Sequence, residues 1–369
     1  MPNKVSLSLG ERSYDIVIEK NALDFLPQFL AEKKYSKIFV ITDENVANLH
    51  LSRLCGVLHN AEKIILPCGE KTKSFALLEK TCEEILSKGI DRRSLIVAFG
   101  GGVVGDFAGF AASILLRGID FIQIPTTLLA MVDSSVGGKT AINSHVGKNL
   151  VGSFYQPKLV LCDIEFLKTL PLRELRSGYA EVVKYGFIRD EKFFEFLEKN
   201  HQKIFSFDEE ILQTIITNSC RFKAEIVGRD ERESSERALL NFGHTFGHIF
   251  ETECGYSDEI LHGEAVALGM VMAAKMSQNF GMILRDDFVR IVSHLENCGF
   301  ITDPKNLRKN WNKENLTCHL FKDKKVEDQK LTFILLERIG KAVVRKGVEL
   351  KEFKKVLREF VDIPRDQRC

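Results

Sequence analysis

The segment Ser94-Leu-Ile-Val-Ala-Phe-Gly-Gly-Gly-Val-Val-Gly-Asp106 decides the fold of the first half of the chain. Its apolar run predicts a buried parallel strand, and residues 107–116 predict a helix directly after it. Gly100, Gly102 and Gly105 satisfy the pattern G-x-G-x-x-G in strand–turn–helix order. In that context backbone amides at a helix N-terminus can hold a pyrophosphate, although a tight structural turn explains the same glycines.

Apolar runs on both sides of this segment predict further strands of one sheet, at residues 37–42, 63–67, 121–125 and 159–163. The first of them leads into Thr42-Asp-Glu-Asn-Val46, which places polar groups where open α/β sheets bind ligands. A helix cap by Asp43 or Asn45 explains the same residues. Residues 4–20 alternate in polarity and predict an N-terminal hairpin that turns at Gly10.

Helical periods replace strand signals from about residue 172 onward. We therefore predict an α/β domain over residues 1–168 and a mostly helical domain over residues 169–369. The length of 369 residues is enough for two domains with cores of ordinary size.

The composition of the chain indicates which classes of binding partner are not expected. The net charge of +1 gives no support to a nucleic acid or an anionic membrane as the main partner. No apolar run is long enough to predict a membrane-spanning helix. The nine cysteines include no Cys-x-x-Cys, and the N-terminus lacks an apolar signal core, so we expect a cytoplasmic protein with reduced thiols.

The second half contains Arg237-Ala-Leu-Leu-Asn-Phe-Gly-His-Thr-Phe-Gly-His248, followed by His262-Gly-Glu264. His244 and His248 are four residues apart and share one face of a helix. With a third histidine they predict a three-ligand metal site of the zinc type. Two half-buried structural histidines are the alternative, but the arginine and asparagine on the same face favour a functional site.

Two other segments carry charged residues of the kind that bind ligands. Glu181 and Lys184 lie three apart on a helix with apolar neighbours, which favours a buried pair with a metal and an anion over an ordinary surface pair. Lys139 and Lys148 lie in a stretch rich in glycine and hydroxyl residues whose spacing is wrong for a Walker loop. They would either hold a substrate phosphate or be solvated.

Eight motifs together resemble the 3-dehydroquinate synthase family, in the family's order and spacing, and cover most of the chain from about 40 to 325. They are Thr42–Val46, Gly69–Lys73, Gly100–Asp106, Pro125–Thr140, Gly147–Asn149, Gly178–Gly186, Leu240–His248 and His262–Val266. Residues 230–235, Asp-Glu-Arg-Glu-Ser-Ser, depart from the family pattern Asp-Glu-x-Glu-x-Gly.

The resemblance implies an α/β N-terminal Rossmann-like domain plus a mostly α-helical C-terminal domain, with NAD and a divalent metal, usually zinc, as cofactors. It implies a carbon–oxygen lyase of the shikimate pathway of aromatic amino-acid biosynthesis. The substrate would be 3-deoxy-D-arabino-heptulosonate 7-phosphate, and the products 3-dehydroquinate and phosphate. The hydroxyl at C5 is oxidised, phosphate is eliminated, C5 is reduced again, and the ring closes by an intramolecular aldol step.

The resemblance also assigns roles to residues. Glu181, His244 and His262 would ligate the metal, which moves His248 to the substrate, where it would assist proton transfer with Lys184 and Asp133. The carboxylate end of the substrate would meet Lys223, Arg237 and Asn241. Its phosphate would meet Lys139, Asn149, one lysine of the cluster 322–325, foremost Lys324, and Arg117 from the second subunit of a homodimer. The NAD contacts would be Asp43, Asn45, Glu70, Lys73, Gly101, Gly102, Val103, Val104, Gly105, Asp106, Thr126, Thr127, Lys148, Phe166, Leu167, Lys168 and Thr169.

Other enzymes share parts of this pattern. Sister sugar-phosphate cyclases make aminodehydroquinate, 2-deoxy-scyllo-inosose or 2-epi-5-epi-valiolone. The cations and amide at Lys223, Arg237 and Asn241 favour a substrate with a carboxylate, so aminodehydroquinate synthase is the hardest of these to exclude. A polyol dehydrogenase dependent on a metal and NAD is the alternative from another class, and it would consume NAD stoichiometrically.

Overall fold

The computed structural model describes residues 3–308, 310–323 and 330–361. The chain divides into two compact units. Unit 1 comprises Met1–Pro171 and Phe207–Arg232, and unit 2 comprises Leu172–Ser206 and Glu233–Cys369. The predicted boundary at residue 168 lies near the first crossing, but Phe207–Arg232 groups with unit 1, although it follows that boundary. No helix in the described ranges is both long and apolar enough to cross a bilayer.

The strands, in chain order, are β1 (Lys4–Leu7), β2 (Tyr14–Glu19), β3 (Ile38–Asp43), β4 (Glu62–Leu66), β5 (Leu95–Gly100), β6 (Asp120–Pro125), β7 (Lys139–Ser144), β8 (Gly147–Phe154), β9 (Leu159–Asp163), β10 (Lys330–Arg338) and β11 (Lys341–Glu349). The α-helices are α1 (Leu26–Lys33), α2 (Glu44–Val57), α3 (Phe75–Ser87), α4 (Gly102–Ile114), α5 (Leu172–Ile188), α6 (Glu191–Phe205), α7 (Glu209–Arg229), α8 (His244–Glu253), α9 (His262–Asn279), α10 (Arg285–Asn297), α11 (Lys313–Asp323) and α12 (Leu350–Val361).

Unit 1 is built on a seven-stranded sheet in the order β1-β2-β9-β6-β5-β3-β4. Only the terminal pair β1–β2 is antiparallel, and the remaining neighbours are parallel. Every residue of β5 is buried, as expected for a central parallel strand covered on both faces. The strands predicted from apolar runs are confirmed to within one or two residues at each end.

The strand order defines a switch point between β3 and β5. From β3 the chain moves outward to β4, whereas from β5 it moves to β6 on the other side. The loops that follow β3 and β5 therefore diverge, and in open α/β sheets this opens a crevice at the carboxyl ends of the strands. Asp43 ends β3 and Gly100 ends β5 at this position.

The hairpin of β7 and β8 was not predicted. Its strands pair antiparallel with Lys139 opposite Phe154, and its inner residues Thr140, Ala141 and Ile142 are buried. The glycines, lysines and asparagines of this stretch are typical of a loop, and that composition hides the pairing.

Unit 2 is organised around α9, most of whose residues are buried. The helices α5 and α8 approach it closely at two glycines. A Cβ added at Gly263 would lie 1.8 Å from the carbonyl oxygen of Ser177, and one added at Gly247 would lie 2.9 Å from that of Ala265. These glycines are therefore needed for backbone-to-backbone packing rather than for contact with a ligand.

A candidate metal centre and a nucleotide-binding edge

Three residues from three helices of unit 2 meet at one point. Glu181 lies on α5, while His244 and His262 are the first residues of α8 and α9. Each offers one ligand atom, and these atoms lie within 4.8 Å of one another. One carboxylate oxygen and two imidazole nitrogens form the donor set of a catalytic zinc site with an open coordination position.

The two oxygens of Glu181 have different surroundings. Oε2 accepts a hydrogen bond from Nζ of Lys184, and both side chains are buried. Oε1 is buried without a hydrogen-bond partner among the described residues, 3.6 Å from His244 Nε2 and 3.9 Å from His262 Nε2. An unpaired buried carboxylate oxygen is costly. The residues therefore fit a divalent cation, which would satisfy this oxygen.

The imidazole of His244 is held in the form that binds metals. Burial, together with the charge of Lys184 and the neighbouring His248 and His262, holds its pKa well below the usual range. Its Nδ1 lies 3.3 Å from the carbonyl oxygen of Phe242, which accepts a hydrogen from that nitrogen. The neutral ring therefore presents the lone pair of Nε2 toward Glu181.

His262 has a different partner. Its Nδ1 lies 3.3 and 3.4 Å from the two carboxylate oxygens of Glu251, a buried residue of α8. Sequence reasoning did not select Glu251. The available signal was its position seven residues after His244, which places both on one face of α8.

The position of His262 is fixed by the residues around it. Glu264 accepts the backbone N–H of Leu261 at 2.9 Å, which caps the start of α9. The guanidinium of Arg173 donates to both oxygens of Glu264, at 2.8 and 2.7 Å. The motif His-Gly-Glu thus combines one candidate ligand, one close-packing glycine and one helix cap.

His248 lies beside this group and outside it. Its ring centroid is 5.5 Å from that of His244 and 6.4 Å from that of His262. The three grouped donors are Glu181, His244 and His262, so the pairing of His244 with His248 predicted from spacing alone is not the arrangement found.

Two further predicted residues of unit 2 lie in or next to the short 3-10 helix Glu236–Asn241. Arg237 is 2% exposed and has one of the largest fully buried side chains. The amide of Asn241 donates to Glu233 at 2.5 Å. Glu233 belongs to the segment that departs from the family pattern, and sequence reasoning did not select it.

Unit 1 brings its predicted nucleotide contacts to the carboxyl edge of three neighbouring strands. In register, Thr42 of β3 pairs with Phe99 of β5, and Gly100 pairs with Pro125 of β6. The first helical residue of α4 is Gly102, and its N-terminus has no side-chain cap. The amides at this helix start are thus available to an anion, which fits the pyrophosphate of a dinucleotide.

Other residues at this edge have structural partners. The carboxylate of Asp43 accepts the N–H of Val46 at 3.0 Å, so the helix cap considered from the sequence is present. The hydroxyl of Thr127 accepts the N–H of Ala130 at 3.1 Å. Other predicted contacts lie nearby in the chain, in the first turns of α2 and α4 and directly after β6, namely Asn45, Val103, Val104, Gly105 and Thr126.

A buried lysine connects several predicted contacts. Lys73 is 4% exposed, donates to Asp106 at 2.7 Å and also contacts the side-chain oxygen of Asn149. Glu70 lies 3.8 Å from the same amine and accepts a hydrogen bond from Asn143 at 2.8 Å. Burial raises the pKa of Asp106, and the charge of Lys73 opposes that rise.

The predicted catalytic residue Asp133 pairs with Lys223. Nζ of Lys223, on α7, donates to the Asp133 carboxylate at 2.6 Å and to its backbone carbonyl at 2.7 Å. Lys223 therefore belongs to unit 1 although it follows the predicted boundary, whereas Arg237 and Asn241 belong to unit 2. Lys139 is exposed, and Lys148 is half-buried on β8.

The predicted contacts Phe166, Leu167, Lys168 and Thr169 form most of a 3-10 helix that directly follows β9. The ring of Phe166 packs against Phe99, and Thr169 hydrogen-bonds His50 at 2.7 Å. Lys168 pairs with Glu165 and Glu209, so its amine is already engaged within unit 1.

Arg117 is exposed, and its backbone has a left-handed φ of 68° directly after Leu116 at 49°. Two consecutive residues of this kind are strained, and such strain is concentrated at functional sites. The predicted phosphate contact Lys324 lies outside the described residues.

Comparisons with known proteins identify the family of this chain. The family model described as 3-dehydroquinate synthase N-terminal matches residues 63–177, and the model described as 3-dehydroquinate synthase C-terminal matches residues 178–326. The chain is 48% identical to the 3-dehydroquinate synthase of Rhodospirillum rubrum, over 97% of this chain and 94% of the relative.

Two solved structures match nearly the whole length of this chain. A 2-deoxy-scyllo-inosose synthase complexed with carbaglucose-6-phosphate, NAD+ and Co2+ matches with a TM-score of 0.88 and 27% identity, covering 97% of this chain and 100% of its own. The 2-epi-5-epi-valiolone synthase of Streptomyces hygroscopicus, with NAD+ and Zn2+ bound, matches with a TM-score of 0.84 and 26% identity, covering 96% and 98%. With family models matching most of the chain and nearly half of the residues identical to a full-length relative, this chain belongs to the 3-dehydroquinate synthase family.

Proposed function

We propose that this chain is a 3-dehydroquinate synthase, which converts 3-deoxy-D-arabino-heptulosonate 7-phosphate to 3-dehydroquinate and phosphate in the shikimate pathway. The observation that carries the proposal is the grouping of Glu181, His244 and His262 around a buried, unpartnered carboxylate oxygen. It occurs in a chain 48% identical to a protein named 3-dehydroquinate synthase over nearly its full length.

Three residues would hold the metal, for which the donor set favours zinc. A bound divalent ion supplies positive charge that stabilises the alkoxide formed when the C5 hydroxyl loses its proton. Glu181 supplies the negative charge of the centre, and Lys184 keeps the other carboxylate oxygen engaged. The neutral His244 contributes a nitrogen lone pair without requiring proton release.

When bound, NAD would supply a hydride acceptor that is regenerated within the catalytic cycle, so that the overall reaction involves no net redox change. Gly101 and Gly102, at the start of α4, would bind its pyrophosphate through backbone amides. Lys73, held between Asp106 and Asn149, would place a fixed cation near the nucleotide.

The remaining residues would bind the substrate and move protons. Lys184, His248 and Asp133 would contact its hydroxyl groups, with His248 assisting proton transfer. Lys223, Arg237 and Asn241 would bind the carboxylate, while Lys139, Asn149 and Lys324 would bind the phosphate. Arg117 would complete the phosphate site of a second subunit, which makes a cytoplasmic homodimer part of the proposal.

Two features of Arg117 support this dimer role. Its side chain is exposed. Its backbone and that of Leu116 have left-handed φ angles of 68° and 49°, and such strain is concentrated at functional sites.

Sister cyclases are less favoured than this assignment. The solved 2-deoxy-scyllo-inosose and 2-epi-5-epi-valiolone synthases are only 26–27% identical to this chain, against 48% for the named 3-dehydroquinate synthase. A buried arginine at position 237 also fits a carboxylate better than an uncharged sugar terminus.

The test is a comparison of two substrates with the purified, metal-loaded chain. With the heptulosonate 7-phosphate, mass spectrometry should identify 3-dehydroquinate, at a kcat/KM at least 100-fold above that for the amino analogue. A preference for the amino analogue would assign the chain to aminodehydroquinate synthesis instead.

A further inference from the structure

A buried carboxylate of unit 2 has no role in the chemistry described above. Glu251 lies on α8 and is 6% exposed. Burying a carboxylate is costly unless a hydrogen-bond donor or a cation compensates. Both of its oxygens face Nδ1 of His262, at 3.3 and 3.4 Å, so this imidazole supplies such a donor.

This contact decides which nitrogen of His262 carries the hydrogen. A carboxylate accepts hydrogen bonds and cannot donate one, so Nδ1 is the protonated nitrogen of the ring. The lone pair then lies on Nε2, the nitrogen that faces Glu181 Oε1 at 3.9 Å. In His244, the other candidate histidine ligand, Nδ1 faces the backbone carbonyl of Phe242 instead of a carboxylate.

We propose that Glu251 is a positioning residue of the metal centre, which holds His262 with Nε2 directed at the metal and strengthens metal binding through its negative charge. This inference rests on the metal centre proposed above. Partners of this kind orient a ligating imidazole and raise its basicity, and their loss typically weakens metal affinity by about 10–100-fold. The helix α8 would thus supply one ligand, His244, and orient a second ligand that belongs to α9.

The same helix provides a matched control. Glu253 contacts His319 at 2.8 Å and forms a carboxylate–imidazole pair whose side chains are 13% and 16% exposed. Neither residue belongs to the group of candidate ligands. Removing the charge of Glu253 therefore reproduces the loss of a carboxylate–histidine contact on α8 without affecting the metal centre.

The test measures metal binding directly and does not depend on activity. The full-length protein is stripped of metal and titrated with Co2+, followed by its visible absorption, and Zn2+ affinity is then measured by displacement. Wild type is compared with Glu251→Gln, Glu251→Ala and Glu253→Gln. The melting temperature of each metal-free protein separates an effect on the site from an effect on folding.

We expect Co2+ affinity to fall about tenfold in Glu251→Gln, which keeps the shape and loses the charge, and up to about 100-fold in Glu251→Ala. Glu253→Gln should stay within twofold of wild type, and metal-free Glu251→Gln should melt as wild type does. If Glu251→Ala fails to fold, Glu251→Gln carries the test.

Wild-type affinity in the Glu251 variants, or an equal loss in Glu253→Gln, would overturn the inference while leaving the metal centre intact. A wild-type protein that binds no Co2+ would overturn the metal centre and this inference together.

Discussion

Glu181 Oε1 and His244 Nε2 lie 3.6 Å apart, and the described residues offer that buried oxygen no hydrogen bond. Two acceptors face each other here because the imidazole is neutral and its hydrogen lies on the far nitrogen. A divalent cation between these two acceptor atoms would bind both of them and so remove the unfavourable contact.

Removing the carboxylate of Glu181 should therefore abolish tight metal binding. We expect Glu181→Ala to weaken Co2+ binding by more than 100-fold in the same absorption titration, because one of three protein ligands is lost. Glu174→Ala is the control, since Glu174 is an exposed carboxylate of the same helix. Equal affinity in Glu181→Ala and wild type would place the metal elsewhere.

The ion pair of Lys73 and Asp106 predicts linked effects on stability and nucleotide binding. In Lys73→Met the half-buried carboxylate of Asp106 loses its cation, which should lower the free energy of unfolding by up to about 3 kcal/mol. NAD+ affinity, measured by calorimetry, should fall at least tenfold. The exposed neighbour Lys71 provides the control Lys71→Met, which should change neither quantity. Unchanged NAD+ affinity in a folded Lys73→Met protein would remove Lys73 from the nucleotide site.

His294 predicts how stability depends on pH. Its Nε2 forms a hydrogen bond with the Tyr179 hydroxyl at 2.9 Å, and burial lowers its pKa from 6.5 to about 3. Below pH 6.5 the unfolded chain binds a proton at this site and the folded chain does not. Stability should therefore fall by about 1.4 kcal/mol per pH unit from pH 6.5 toward pH 3 on account of this residue.

The substitution His294→Gln isolates this contribution. Urea unfolding at pH 7, 6 and 5 should give a shallower loss of stability in His294→Gln than in wild type, whereas the exposed His59→Gln should follow wild type. Parallel curves for His294→Gln and wild type would mean that His294 is not buried in the neutral form.

Two glycines should respond to alanine in opposite directions. Gly263→Ala places a methyl group 1.8 Å from the Ser177 carbonyl oxygen and should destabilise unit 2 and weaken metal binding, because His262 is its neighbour. Gly56→Ala meets no atom within 4 Å in the last turn of α2 and should stabilise the protein by up to about 1 kcal/mol. Thermal unfolding of the two variants checks both signs, and a stable Gly263→Ala protein would contradict the close packing of α5 on α9.

The parts of the fold that were predicted correctly are those whose residues are close together in the sequence. The strand, glycine turn and helix around Gly100 follow one another in the chain, and so do the apolar runs of the parallel sheet. The β7–β8 hairpin escaped prediction because the lysines and glycines between 139 and 149 resemble a loop. The membership of Phe207–Arg232 in unit 1 depends on contacts distant in sequence, which local patterns do not encode.

Local sequence patterns were also insufficient to predict which residues group together at the candidate metal centre. The spacing of His244 and His248 indicated a metal site and selected the wrong partner, because the third donor, Glu181, lies more than sixty residues away. Glu251 shares a helix face with His244, but its role is indicated by its distance to His262, which the sequence does not contain.

As a 3-dehydroquinate synthase, this chain should use NAD catalytically in a phosphate-eliminating cyclisation. The most direct measurement combines phosphate release and NADH absorbance in one reaction, with the heptulosonate 7-phosphate in excess and NAD below the enzyme concentration. The account predicts many phosphates per NAD, no lasting NADH and loss of activity on chelation. Stoichiometric NADH without phosphate release would contradict it and indicate a dehydrogenase.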